Sequence, residues 1–430
     1  MKQATLTPVF AIPPQRISTM INRSIVEQHV DEAGFQWLQH TDAVQRPDYT
    51  LEDIVELDNT LEANLDGIYL AGETGWQLCQ TQLTDGEEYL FPAMVMALRS
   101  QDPGRQQQLL KTVNSENAEM FIGALGWVDY AQAKPVIEQL LNSTRPFYQY
   151  LGVAACGLHR QKPSVAIQQL LQSPIPLLKV RVIQLIGELK YHDLKVELAH
   201  YLRAENQAYR FWSAWSLALL GERYHALPVL ESCLHPDSAY YQPALQVAIR
   251  IATPDGRKRL IYTLAKSHFF KSAITATGIA GYVDGIGWLI KMMEQPELAR
   301  IAGEAFSLIT GVDLEYNDLV KEQAEDDDNN ELFDDDDDDD NIDEDEQNLP
   351  IPEPLLVAKW WQQYQRDFKA GTRYLAGNAI NDGNLLTLLQ SGRQRQAAAL
   401  ELALSDPTHT FLPTSVKGSK QQHYGLGGKY

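Results

Sequence analysis

The chain has 430 residues, 44% of them apolar and eight of them Trp, with a formal net charge of -21; this supports large folded cores and disfavours non-specific nucleic-acid binding, which depends on Lys and Arg displacing phosphate counterions. The acidity is local, because sixteen of the twenty-two residues from 325 to 346 are Asp or Glu, and removing that segment leaves about -5. Three cysteines, with no Cys-x-x-Cys pair, exclude a disulfide framework or thiolate zinc site, and with no leader-like start and no long apolar run the expected location is cytoplasmic, without a membrane.

Residues 1–110 carry helical patterns at Ser24 to His40, Leu51 to Leu65 and Leu90 to Arg99 without a regular period, and are expected to form a helical N-terminal cap. Thr50 followed by Asp53 is a near capping box for the second pattern. His29 and Glu32, with His40 beyond them, have His-x-x-Glu spacing on a helix; two ligands in a helical cap are read as a solvated face, and no metal is expected.

From 111 to 318 the chain repeats. Gly126, Gly157, Gly187, Gly221, Gly281 and Gly311 fall 31, 30, 34, 60 and 30 residues apart, with Ala252 near the middle of the long gap. Each Gly closes an apolar helical stretch and precedes a second amphipathic one, such as Leu194, Leu198, Leu202 or Ile286, Leu289, Ile290, Met293. That pattern predicts stacked helix pairs, with the glycines in left-handed conformation at helix ends. Residues 319–349 are expected to be an acidic disordered loop, 350–412 C-terminal helical hairpins, and 413–430 a flexible tail whose Gly425 to Lys429 lacks the strand and helix of a phosphate loop.

The fragments Leu185-Ile186-Gly187-Glu188-Leu189 and Ala218-Leu219-Leu220-Gly221-Glu222 resemble short HEAT-like repeats of the kind found in phycobilisome lyase-like proteins. The flanks, notably Leu61 to Gly67, Leu70 to Glu73, Gly371 to Gly377 and Gln394 to Leu404, look like an uncharacterised proteobacterial family of HEAT-like repeat proteins. Members of that family are commonly encoded beside PAAR-like spike proteins of type VI secretion. The resemblance implies an adaptor or chaperone that handles a spike or secreted effector; the Asp run is not part of the family pattern.

The expectation is therefore an all-α, HEAT-like α-solenoid with helical N- and C-terminal caps and an acidic disordered insertion, acting as a non-catalytic protein-binding scaffold. No nucleophile elbow or paired catalytic set is legible, so no catalytic, cofactor or metal residues are assigned. Adjacent aromatics at the starts of first helices (Phe147-Tyr148, Phe211-Trp212, Tyr240-Tyr241, Phe269-Phe270) cannot both enter one groove, since helical neighbours point about 100° apart. They nominate Tyr148, Trp212, Tyr241 and Phe270 for partner binding, with Lys179, Arg181 and Arg210 from the basic middle stretch. Two rival readings stand beside this one: an enzyme of the HEAT-like lyase kind, and a nucleic-acid binder using the basic middle repeats, whose basic residues must then face inward together; the acidic loop, for its part, is expected to be a solvated spacer or to lie over Lys179, Arg181, Arg203, Arg210, Arg257, Lys258 and Arg259. The oligomeric state stays open.

Overall fold

The computed structural model describes residues 21–46, 49–321, 344–347, 349–391 and 394–425; within them the chain is mostly helical, with one two-stranded ribbon. The N-terminal region comprises α1 (Arg23–Ala43), α2 (Leu51–Leu70), α3 (Glu73–Gln82), α4 (Leu90–Arg99) and α5 (Pro103–Leu110). Thr50 and Asp53 form a full reciprocal capping box at the start of α2.

Six helix pairs follow: α6 (Ala118–Trp127) and α7 (Tyr130–Leu141), α8 (Pro146–Leu158) and α9 (Ile167–Leu171), α10 (Pro176–Glu188) and α11 (Lys195–Tyr201), α12 (Gln207–Leu219) and α13 (Arg223–Glu231), α14 (Tyr241–Ile251) and α15 (Pro254–Lys266), α16 (Phe270–Ala280) and α17 (Ile286–Met292). Then comes α18 (Pro296–Thr310). The first helices α6, α8, α10, α12, α14, α16 and α18 pack each on the next in chain order, and each second helix packs on the first helix that follows it. The two kinds differ in burial. Helix α12 buries Phe211 and every residue from Ser213 to Leu219, whereas α13 buries only Ala226 and Leu230. First helices therefore form an inner row, and second helices lay a single apolar stripe on it.

The glycine period combines two different requirements. Gly221, Gly281 and Gly311 have φ of 88°, 74° and 74°, the left-handed conformation expected. Gly126, Gly157 and Gly187 lie inside their helices, and the left-handed residues after α8 and α10 are Arg160 and Lys190, with φ of 52° and 57°. The helix-end positions are thus 160, 190, 221, 281 and 311, a more even spacing than the glycines themselves have. Close packing explains the earlier glycines: a Cβ on Gly157 would collide with the Arg181 guanidinium, and one on Gly187 would sit 2.7 Å from the Cα of Ser216. Ala252, with φ of -63°, is extended and leads straight into the Thr253 cap of α15.

Beyond α18 the described elements are α19 (Glu344–Gln347), α20 (Pro354–Tyr364), the antiparallel ribbon β1 (Tyr374–Leu375) and β2 (Asn378–Ala379), α21 (Asp382–Ser391), α22 (Arg395–Ser405) and α23 (Gly418–Gly425). The ribbon was not foreseen in a stretch expected to hold only helical hairpins. Most of the acidic loop, 322–343, lies outside the described residues. The expectation of a flexible tail from 413 is corrected as far as Gly425: Leu412, Val416 and Gln421 are buried, and α23 packs on α2 and α21. Its Gly-rich, polar composition concealed this, because it is held by hydrogen bonds to distant backbone more than by apolar bulk.

Candidate functional site

The C-terminal carbonyls of a helix have no partner within it and carry partial negative charge. In the inner row these carbonyls are met one helix after another. At α6, Lys420 Nζ donates to Gly126 O and Val128 O, both at 2.7 Å, and His159 Nε2 lies 2.8 Å from Leu125 O. At α8, Arg160 donates to Gly157 O. At α10, Phe411 N donates to Glu188 O at 3.1 Å. At α12, Lys190 Nζ donates to Leu219 O and, across to α22, to Ala403 O at 2.7 Å. Arg257 serves Ile249 O and Arg250 O at the end of α14, and Arg373 serves Ile279 O and Ala280 O at the end of α16. At α18, the backbone N–H groups of Ala376 and Gly377 donate to Leu308 O and Ile309 O.

The C-terminal strap, residues 373–421, thus meets this edge at several points, at α16 and α18 through Arg373, Ala376 and Gly377, at α12 and α10 through Ala403 and Phe411, and at α6 and α2 through Lys420 and Gly418. In between it touches the N-terminal region, where Arg395 and Gln396 bond to Tyr49 O and Val44 O. Glu401 of α22 anchors the strap: it accepts two bonds from Arg373, at 2.6 and 3.1 Å, and lies 3.1 Å from Arg250 Nε. At the N-terminal end Gly418 N donates to Asp58 at 2.5 Å, and Asp58 also pairs with His40 Nδ1 at 2.6 Å in a fully buried setting. Lys417 bridges to Glu62 at 3.2 Å, beside the Trp127 ring.

Between the strap and the inner row lies a cleft of about 350 Å³. Its floor is Gly157 and Arg160 of the α8 end with Arg181, Gln184 and Glu188 of α10; its walls are Trp212 and Trp215 of α12 and Phe411 to Ser415 of the strap. The Phe411 ring stands edge-on to Trp215, with centroids 5.6 Å apart, and the Arg160 guanidinium lies over it at 5.8 Å. Arg181 clasps Glu188 end-on, Nη1 to Oε1 at 3.1 Å and Nη2 to Oε2 at 3.0 Å, while Arg160 reaches the same Oε2 at 3.1 Å. Burial alone would raise the Glu188 carboxyl, but Arg181 and Arg160 outweigh it and hold the group below the usual carboxylate range. The floor therefore carries two guanidiniums against one carboxylate.

Of the seven residues nominated for partner binding, Arg181 and Trp212 meet in this cleft. The other five lie elsewhere. Tyr148 is half-buried, donates to Leu110 O at 3.3 Å and lies under Arg145. Tyr241 is half-buried near Ser272. Phe270 is 39% exposed at the start of α16, edge-on to His268. Lys179 stands over the rings of Tyr201 and Tyr209, at 5.4 and 5.2 Å. Arg210 donates to Ala204 O and Glu205 O. In the basic stretch Arg257 is buried as a helix cap, Arg259 pairs with Glu231, and Arg203 and Lys258 are exposed. Arg210, Arg257 and Arg259 thus answer separate local partners.

Sequence reasoning missed Arg160, Glu188, Trp215 and Phe411. The Glu188 signal lay inside the Ile-Gly-Glu-Leu fragment, where it was read as packing. Phe411 had no local signal, because its role depends on a strap whose path is set by distant contacts. His29 bonds to Asn64 at 2.7 Å and His40 to Asp58, so these two histidines are not brought to a common centre. Among the described residues no helix is long and apolar enough to cross a membrane. No protein-family model, curated protein or solved structure matches this chain.

Proposed function

We propose that this chain is a non-catalytic protein-binding scaffold, built as a HEAT-like α-solenoid with helical caps at both ends. The observation that carries this reading is that the inner row already holds an irregular, non-helical segment of its own chain around Phe411, by a backbone hydrogen bond from Phe411 to Glu188 and by the Phe411 ring beside Trp215. A preformed row loses little entropy on gripping a second segment. The resemblance of the flanks to the repeat family encoded beside spike genes supplies the partner: a PAAR-like spike or a secreted effector of type VI secretion, held in the cytoplasm by an adaptor or chaperone. The local pairing of Arg210, Arg257 and Arg259 argues against a nucleic-acid reading, which requires a continuous basic surface.

The test is co-purification of the full chain from its native cells, with mass spectrometry of what is retained. A stoichiometric spike-like or effector polypeptide supports the proposal. A retained chromophore or a nucleic acid in place of a polypeptide overturns it.

A further inference from the structure

The C-terminal end of α6 is met by two bases from distant parts of the chain. His159, the residue after α8, holds Nε2 2.8 Å from Leu125 O, and Lys420 of α23 holds Nζ 2.7 Å from both Gly126 O and Val128 O. An imidazole nitrogen facing a carbonyl oxygen carries its hydrogen there, so Nδ1 is the atom that takes up a second proton. With that proton, His159 becomes a cation beside an ammonium at the same helix end. Burial, and then the Lys420 ammonium, push the His159 imidazole down to about 4 from 6.5; Lys420, itself pushed down to about 8 by burial, is charged at pH 7 and below.

The charged groups on the neighbouring elements leave this conflict in place. Asp129, ahead of α7, attracts both bases but is exposed. Glu62 of α2 is engaged by Arg99, Lys417 and the Trp127 indole N–H, and Asp58 of α2 by His40 and Gly418 N. Lys417 adds a further positive charge on the strap side. On α7, Lys134 and Glu138 pair with each other, and the Tyr130 ring lies 5.3 Å from the imidazole. Arg181 and Arg160 are turned to Glu188, Glu119 lies exposed at the opposite end of α6, and α21, which packs on α23, has Asp382 as its charged residue.

Which base gives way depends on how firmly each is held. His159 follows a helix of the inner row that is packed by α6, α7 and α10. Helix α23 has eight residues, and none of its described side chains enters an apolar core. Polar bonds hold it to the rest of the fold: Gly418 N to Asp58, Lys417 to Glu62 and Lys420 to α6. Segments with few apolar contacts open locally before the rows they lie on. We propose that His159 and Lys420 form a proton-operated latch: a second proton on His159 drives Lys420 from the end of α6 and releases α23, opening the strap at its last anchor while the helix rows stay folded. The released state takes up a proton that the closed state refuses, so opening grows as pH falls from 6.5 toward 4. The window of Lys420 itself, from 10.5 to 8, is passed before His159 titrates.

The test is hydrogen exchange of the full chain, read by mass spectrometry from pH 7.5 to 5 at constant ionic strength, with labelling times scaled to the intrinsic exchange rate at each pH. Protection of α23 is expected to fall about tenfold between pH 7 and 5, while α8 and α10 keep theirs. His159→Gln, whose amide can donate to Leu125 O without gaining charge, should hold the protection of α23 level across the range. In Lys420→Gln the His159 imidazole, followed by its NMR chemical shift, should titrate nearer 6.5 than in the native chain, a readout that does not require α23 to stay docked. Three exchange results overturn the latch: protection of α23 that does not change with pH, a fall that His159→Gln retains, or a loss shared equally by α8 and α10. A His159 titration that Lys420→Gln leaves unmoved overturns it as well.

Discussion

The guanidinium of Arg181 occupies the space that a side chain on Gly157 would need. Two helices in succession thereby share one decision: α8 gives up a Cβ so that α10 can place a cation on the cleft floor. In an ordinary helix interior Gly→Ala stabilises by about 1 kcal/mol, so the sign of the effect here reports the contact. Gly157→Ala is expected to destabilise by about 1–3 kcal/mol, the usual cost of overpacking. The double variant Gly157→Ala with Arg181→Ala should recover much of that loss. Denaturant melts of the four proteins check this, and strictly additive effects would refute the contact.

Among the described residues Glu401 is the carboxylate that answers both Arg250 and Arg373 in the interior. Removing one partner of a buried ion pair costs about 3–5 kcal/mol, because charge is left uncompensated. Glu401→Gln should lose stability on that scale. Hydrogen exchange should show α22 losing protection before α10 does; uniform loss would argue against a local anchor.

His159 is pushed down to about 4 from 6.5 by burial and by the neighbouring Lys420 ammonium. Between those two pH values the unfolded chain binds a proton that the folded chain refuses, so stability falls as pH drops from 6.5 toward 4. His159→Gln should flatten the stability profile in that window, measured by melts across pH at constant ionic strength. An unchanged slope would place the acid sensitivity elsewhere.

Lys190 runs in the alkaline range by the same logic. Burial pushes its ammonium down to about 7 from 10.5, so the unfolded chain holds the extra proton between those values and stability rises with pH across the window. Lys190→Met is expected to shallow that rise, most of all between pH 7 and 8, because the buried Lys420 ammonium, pushed down to about 8 from 10.5, adds to it only above that range. A variant with an unchanged slope from neutral to alkaline pH would contradict the assignment.

Lys420 caps two carbonyls at the end of α6. Lys420→Met should loosen the last turn of α6, because both carbonyls lose this donor, while the net change in stability at neutral pH stays small, since burial already pushes the Lys420 ammonium down to about 8 from 10.5. Amide exchange should quicken at the last turn of α6 and in α23, while the turns of α16 and α18 keep their protection.

Much of the helix order was legible because its signals are local. Apolar stripes at helical spacing, the Thr50 and Asp53 box and the period near thirty residues each depend on neighbours within a turn or two. The role of the glycines was only half legible: Gly281 and Gly187 look alike in sequence, yet one is needed for its backbone angle and the other for its neighbour's proximity. The cleft was less legible still. Arg181 and Trp212 stood out as residue types favoured at binding sites, but an Arg that caps a helix, such as Arg257, carries the same letter as an Arg that faces a cavity. The strap was illegible because its contacts span the chain; Lys190 meets Ala403 across 213 residues, and no local pattern encodes such a meeting.

The distance in sequence between the strap and its partners ties folding to translation. Asp58 receives its bond from Gly418, 360 residues further on, so a ribosome delivers the acceptor long before the donor. A nascent chain halted near Ser405 has its pairs of helices but lacks the Lys420 donor at the end of α6, the Phe411 donor at the end of α10 and the Phe411 wall of the cleft. Such a fragment differs from the longer chain by an edge that only residues beyond 405 close.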